Sequence, residues 1–156
     1  MGKISKDKIA ISGTTGFVGK NLENFFTQNN VKYKTISRLA FQKNKLSLIS
    51  DCNCFVHLVG IGTETEKESF EEVNVELTKK IVDVCKKSKI KKIIYFSGLG
   101  VSSKSTSDYF ISKFKAEQLI IKSGLDYTIF RPSYIIGKDD YLTRNFKKQI
   151  RKKKIL

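Results

Sequence analysis

At 156 residues, 40% of them hydrophobic, the chain has the size of one domain and enough apolar content for a proper core. No stretch approaches the roughly 20 apolar residues of a membrane-spanning helix, and residues 1–8 are too polar for a secretory leader, which predicts a soluble, cytoplasmic protein. Thirty Lys plus Arg against fifteen Asp plus Glu give +15, but the excess is lysine spread through every segment, so no specific nucleic-acid partner is expected.

In chain order, residues 8–12 form a short apolar run that feeds Gly13-Thr14-Thr15-Gly16-Phe17-Val18-Gly19. Val18, Leu22, Phe25 and Phe26 then recur at helical spacing over residues 18–30. Residues 31–37 read as a second strand, with Val31, Tyr33 and Thr35 alternating against lysines. Residues 38–50 are polar and weakly patterned, and residues 52–59 read as a buried strand closed by Gly60. Cys52 and Cys54 form C-x-C with no second pair and only His57 nearby, so their alternation with Val56 and Leu58 predicts packing and no metal site. The odd count of three cysteines fits a reducing compartment, and His57 is read as a structural residue.

A long helix is expected over residues 66–87, with Phe70, Val73, Leu77, Ile81, Val84 and Cys85 on one side. Residues 91–97 form the next strand, which ends in Gly98 and Gly100 before a loop rich in Ser and Thr. A helix over 107–123, with Phe110 and Phe114 as its buried stripe, is stopped by Gly124. The last strand, 126–131, ends at Pro132. Residues 139–156 carry Tyr141, Leu142, Phe146 and Ile150 in a basic amphipathic helix. Strands alternating with helices of this length predict an α/β fold with a doubly wound, Rossmann-type parallel sheet of about five strands.

A helix N-terminus offers unpaired N–H groups and the positive end of a dipole, so it attracts a pyrophosphate if the backbone can come close. In Gly13-x-x-Gly16-x-x-Gly19 the first glycine allows the sharp turn, the second removes a side chain facing the phosphates, and the third lets the helix pack on the sheet. The strand before and helix after supply the context such a turn requires, which predicts a dinucleotide ligand. At the end of the second strand a carboxylate suits a free ribose 2′-OH, whereas an arginine suits a 2′-phosphate. Ser37-Arg38 stands there, so NADP is expected, with NAD the alternative.

Together these segments resemble the extended and atypical short-chain dehydrogenase/reductase superfamily, in its nucleotide-sugar epimerase and NmrA-like branch. The matching pieces are the glycine turn, Asp51-x-x-x-x-Val56-His57-Leu58-Val59-Gly60, Val73-Asn74-Val75, Tyr95-Phe96-Ser97, Tyr109-x-x-x-Lys113 and residues 125–133, which end in Arg131-Pro132-Ser133. Ser97-Gly98-Leu99-Gly100 is especially similar to the branch that includes the nucleotide-binding accessory subunit of respiratory complex I. The resemblance implies cofactor contacts from Gly13, Thr15, Gly16, Phe17, Val18, Gly19, Ser37, Arg38, Val59, Gly60, Asn74, Ser97, Lys113, Pro132 and Ser133.

It also implies that Tyr109 and Lys113 are catalytic, with residues 1–138 as the NAD(P)-binding domain and 139–156 as the start of a substrate-binding region. Spacing i, i+4 puts the pair on one helix face. A phenol titrating near 10 needs a neighbouring cation to favour its phenolate, and Lys113 is expected to supply it.

Three features depart from the family pattern. Leu99 stands where the catalytic Ser or Thr is usual, with Ser102 or Ser103 as substitutes. The stretch from Arg38 to His57 is too short for the family's third strand and helix, so that strand is expected to be shortened or missing. The chain stops where the substrate-binding region begins, so it is a truncation or a minimal binder. The functional expectation is an NADP-linked oxidoreductase or epimerase-type enzyme on a carbonyl or hydroxyl substrate. The alternative is a non-catalytic NAD(P)-binding sensor or assembly subunit, as a homodimer or within a larger complex.

Overall fold

The computed structural model describes residues 8–42, 46–138 and 140–152. Strands β1 (Lys8–Ser12), β2 (Tyr33–Ile36), β3 (Cys52–His57), β4 (Lys92–Phe96) and β5 (Asp126–Phe130) form one parallel sheet in the order β2-β1-β3-β4-β5. Helices α1 (Phe17–Gln28), α2 (Arg38–Gln42), α3 (Leu77–Lys87), α4 (Asp108–Ile121) and α5 (Tyr141–Lys152) alternate with the strands. This is the Rossmann-type fold that the sequence pattern predicts. The strand order reverses between β1 and β3, and such a switch point opens a crevice at the carboxyl ends of the strands.

No strand lies between β2 and β3 in the chain among the described residues, which leaves β2 at the edge of the sheet, and β3 pairs with β1, Ile11 opposite Val56 and Ser12 opposite His57. The segment read as merely polar does more than connect. It forms α2 and a 3-10 turn, Leu46–Ile49, and contributes Ala40, Phe41 and Ile49 to the core. That core lies between the sheet and the α3–α4 layer, where Phe55, Ile81, Cys85, Ile93, Tyr95, Ala116 and Ile120 are fully buried. Cys52 and Phe55 join it while Val56 is also buried, because a central parallel strand is covered on both faces.

The long helix begins differently from the regular helix expected. Residues Glu71–Glu76 form a wide π turn that runs into α3 and buries Val73, Asn74 and Val75 in succession. Ser69 and Glu72 make a capping box at its start: the Ser69 hydroxyl accepts the Glu72 N–H at 3.2 Å, and the Glu72 carboxylate accepts the Ser69 N–H at 3.2 Å.

The buried face of α4 also corrects the sequence reading. Phe110 and Phe114 are only half-buried, and the inward residues are Ser112, Lys113, Ala116, Glu117 and Ile120. Glu117 is fully buried and accepts two bonds from Arg131, 2.9 Å from Nε and 2.6 Å from Nη2, which ties α4 to the chain leaving β5. Removing one partner of such a pair leaves a buried charge unmatched. Arg131→Met is therefore expected to lower stability by about 2–3 kcal/mol, discounted because Arg131 is half exposed, and Glu117→Leu in the same chain to restore much of it. Urea unfolding of the single and double variants measures both.

Candidate functional site

Gly13 leaves β1 with φ +83°, a left-handed conformation that L side chains rarely adopt. A methyl there would meet the Leu58 carbonyl carbon and Val59 nitrogen at 2.8 Å. One on Gly19 would lie 2.3 Å from the Gly13 oxygen, so α1 rests directly on its own entry turn. Gly16 is exposed, caps α1 with no side-chain hydrogen bond, and precedes a first turn without acidic residues. The N-terminal donors of α1 thus open on the cleft with no acidic residue in the helix's first turn, which suits an anion. Cleft and cradle fit a dinucleotide pyrophosphate.

The cleft above this turn, about 370 Å³, gathers Gly13, Thr15, Gly16, Ser37, Arg38, Val59 and Gly60, with Thr14, Thr35, Ile36 and Leu58. Seven residues expected to contact a cofactor therefore share one cavity. Phe17 and Val18 open α1, where Phe17 packs against Gly137 in the segment after β5.

A second group collects at the ends of β3 and β4. Asn74 is buried, accepts the Ile61 N–H at 3.0 Å and donates to the Ile61 carbonyl at 3.2 Å and the Ser112 hydroxyl at 3.0 Å. It holds the loop after β3 so that a methyl on Gly60 would lie 3.5 Å from Lys113 Nζ. Lys113 is buried, donates to the Phe96 carbonyl at 2.7 Å and stands 4.3 Å from the Tyr95 ring centroid. Burial pushes its amine down to about 8, with Glu117 opposing the shift, so it stays charged at neutral pH.

The Tyr109 ring packs between Phe70 and Phe110, and a methyl on Gly98 would lie 3.6 Å from its hydroxyl. Burial raises the Tyr109 phenol above its ordinary value, the opposite of the shift expected from a Lys113 cation at the phenolate. The Ser97 hydroxyl is buried at the end of β4 with no partner among the described residues. Leu99 is exposed, and Ser102 is bonded to Ser105 within its own loop. Pro132 and Ser133 leave β5 beside Leu99, whose N–H donates to the Pro132 carbonyl at 2.9 Å, and neither lines the glycine cleft.

One buried polar chain joins the two groups. The Ser12 hydroxyl meets His57 Nδ1 at 3.1 Å, and His57 Nε2 meets the Thr78 hydroxyl at 2.9 Å. Thr78 donates to the Asn74 carbonyl at 2.7 Å, Asn74 donates to Ser112, and Ser112 donates to the Tyr109 carbonyl at 2.7 Å. His57 is thus a fully satisfied structural residue, and burial first, then Lys113, pushes its imidazole down to about 3. Among the described residues no group of His, Cys, Asp and Glu could hold a metal ion, and no helix is long and apolar enough to cross a membrane.

Residues 46–154 match a family model described as NAD(P)H-binding. The chain belongs to the NAD(P)H-binding family. Among its relatives, NADH dehydrogenase [ubiquinone] 1 alpha subcomplex subunit 9, mitochondrial, of Mus musculus is 30% identical over 98 residues, which cover 63% of this chain and 26% of that protein. The Arabidopsis thaliana protein of the same description is 32% identical over 95 residues, covering 60% and 24%. The matched region thus spans about a quarter of each relative's length.

Among solved structures, the Bordetella bronchiseptica enzyme WbmH in complex with NAD+ superimposes with a TM-score of 0.76 at 18% identity, covering 95% of this chain and 64% of that one. The UDP-N-acetylglucosamine 4-epimerase from Bacillus cereus gives 0.69 at 22% identity, covering 92% and 60%. At these identities the likeness establishes the fold. Both Glu68, whose carboxylate reaches Arg38, and Ser12 escaped the sequence reading, since neither belongs to a local motif.

Two outcomes follow from this geometry. Gly19→Ala forces the turn off the helix it supports, so nucleotide affinity should fall at least about tenfold by calorimetric titration. An imidazole lowered from 6.5 to about 3 on folding takes its proton in the unfolded chain first. Stability should therefore fall as pH drops through that window, by up to about 1.4 kcal/mol per unit, and His57→Gln should flatten the slope in urea melts.

Proposed function

We propose that this NAD(P)-binding chain serves an NADP-linked reaction of oxidoreductase or epimerase type on a carbonyl or hydroxyl substrate. The observation that carries the reading is the placement of the Tyr109 hydroxyl beside Gly98 and of Lys113 Nζ beside Gly60, in the loops that follow β4 and β3. The glycine cradle would hold the pyrophosphate, and Arg38 at the far end of the cleft would meet a 2′-phosphate. The nicotinamide, when bound, supplies the hydride donor or acceptor.

The protein's own groups divide the remaining work. Lys113, charged at neutral pH, would hold the ribose hydroxyls next to Gly60. Tyr109, kept neutral by burial, would donate its proton to a substrate oxygen as a carbonyl is reduced, and recover one in the reverse direction. The buried Ser97 hydroxyl, without a partner among the described residues, offers a further donor at the carboxyl end of β4.

A second reading, a non-catalytic nucleotide-binding subunit in a larger assembly, is favoured by one observation. Leu99, which is exposed and stands where the family resemblance expects the catalytic Ser or Thr, offers no hydroxyl to a reacting oxygen. The relatives named as NADH dehydrogenase subunits support it too.

Calorimetric titration with NADPH and NADH, followed by NADPH absorbance with a carbonyl panel, separates the two. The enzyme reading expects turnover that Tyr109→Phe lowers by about 10²–10⁴-fold with nucleotide affinity little changed. Turnover indifferent to that substitution sinks the assigned role. Tight binding without turnover favours the subunit reading, and binding of neither nucleotide refutes both.

A further inference from the structure

The turn after β2 leads through Ser37 to Arg38 at the start of α2 with no acid, yet a carboxylate reaches Arg38 from the loop after β3. Glu68, in the loop between β3 and the π turn, accepts a charge-assisted hydrogen bond from Nη1 of Arg38. Its backbone is held in register: the Thr65 N–H donates to the Glu68 carbonyl at 2.9 Å, and the Glu68 N–H to the Thr65 carbonyl at 3.3 Å.

Three acids of the same stretch are engaged elsewhere. Glu64 accepts the Phe70 N–H at 2.7 Å, Glu71 pairs with Lys115 at 2.8 Å, and Glu72 closes the capping box on Ser69. Glu68 is the acid that this loop presents to Arg38.

Arg38 is also the wall common to two cavities. On one side is the glycine cleft, and on the other a cleft of about 430 Å³ lined in part by Phe41, Lys67, Glu68 and Lys80. Arg38 thus joins the glycine cleft to the cavity that Glu68 lines, and on the proposed reading it meets the 2′ substituent of the adenosine ribose. The two nicotinamide dinucleotides differ at that position alone. A hydroxyl donates to a carboxylate, whereas a phosphate is repelled by a carboxylate and bound by a guanidinium.

We infer that Glu68 is the acidic half of a two-residue ribose reader. It accepts the 2′-OH of NAD(H) while Arg38 stays paired, and it must release Arg38 before the 2′-phosphate of NADP(H) can be held. The carboxylate that NAD sites carry on the second strand is here delivered by the loop after β3. The inference rests on the reading that Arg38 faces the ribose. Both side chains are partly exposed, 46% for Arg38 and 33% for Glu68, so solvent screens the pair and its closure is worth little.

The test is the ratio of NADPH to NADH dissociation constants, measured by calorimetry on the full chain for wild type, Glu68→Gln, Glu68→Asp and Arg38→Gln. Glu68→Gln is expected to tighten NADPH and weaken NADH, moving the ratio toward NADPH by about tenfold or more, with Glu68→Asp intermediate. Arg38→Gln should move it the opposite way. Circular dichroism identifies the variants that fold, and a ratio unmoved within about twofold in a folded Glu68 variant overturns the inference. So does a parallel change in both affinities. In either case a ratio that still responds to Arg38→Gln leaves the Arg38 reading intact. A ratio indifferent to Arg38, or no binding of either nucleotide to wild type, overturns that reading and this inference together.

Discussion

A side chain at Gly13 would run into the backbone of Leu58 and Val59, and one at Gly19 into the oxygen of Gly13. Those two close approaches let β1, α1 and the loop after β3 meet at one point with only backbone between them. Because α1 rests on its own entry turn, its unpaired N–H groups end in the crevice between β1 and β3, and an anion can reach them. Any residue with a Cβ at either position would separate the three elements. The cleft exists because nothing stands in that corner.

From the same corner a buried polar chain runs through Ser12, His57, Thr78, Asn74 and Ser112 to the backbone of Tyr109. All links but the last, which is part-buried, lie where water cannot substitute, so breaking one would leave a desolvated donor or acceptor. That chain sets how far the phosphate end of the crevice lies from the tyrosine. The π turn serves the same end: by burying Val73, Asn74 and Val75 in succession it turns Asn74 toward Ile61 and Ser112 while its neighbours fill the core.

Much of the fold was legible because the strands of a parallel sheet, covered on both faces, read as short apolar runs, and because glycines punctuate their ends. Residues 8–12, 52–59, 91–97 and 126–131 all fall on observed strands to within a residue or two. The α4 stripe was misjudged for a definite reason. Hydrophobic patterning nominates Phe110 and Phe114, but this helix turns Ser112, Lys113 and Glu117 inward because Asn74, the Phe96 carbonyl and Arg131 satisfy them there. Periodicity counts apolar residues and cannot count partners that arrive from other elements. The 38–50 segment was underread similarly, since Ala40, Phe41 and Ile49 form no regular pattern but still seal one end of the core.

By itself the sequence determined the alternation of strand and helix, the glycine turn with its helix, and the i, i+4 placement of Tyr109 and Lys113, because each depends on residues close together in the chain. Tertiary structure alone decided that Lys113 binds the Phe96 carbonyl in place of the phenol, that His57 is locked between Ser12 and Thr78, and that Glu68 meets Arg38. Those outcomes depend on groups 17 to 45 positions apart, brought together by a strand order that places β3 beside β1. Local spacing constrains which face a residue occupies. What waits on that face is settled only when the sheet is assembled.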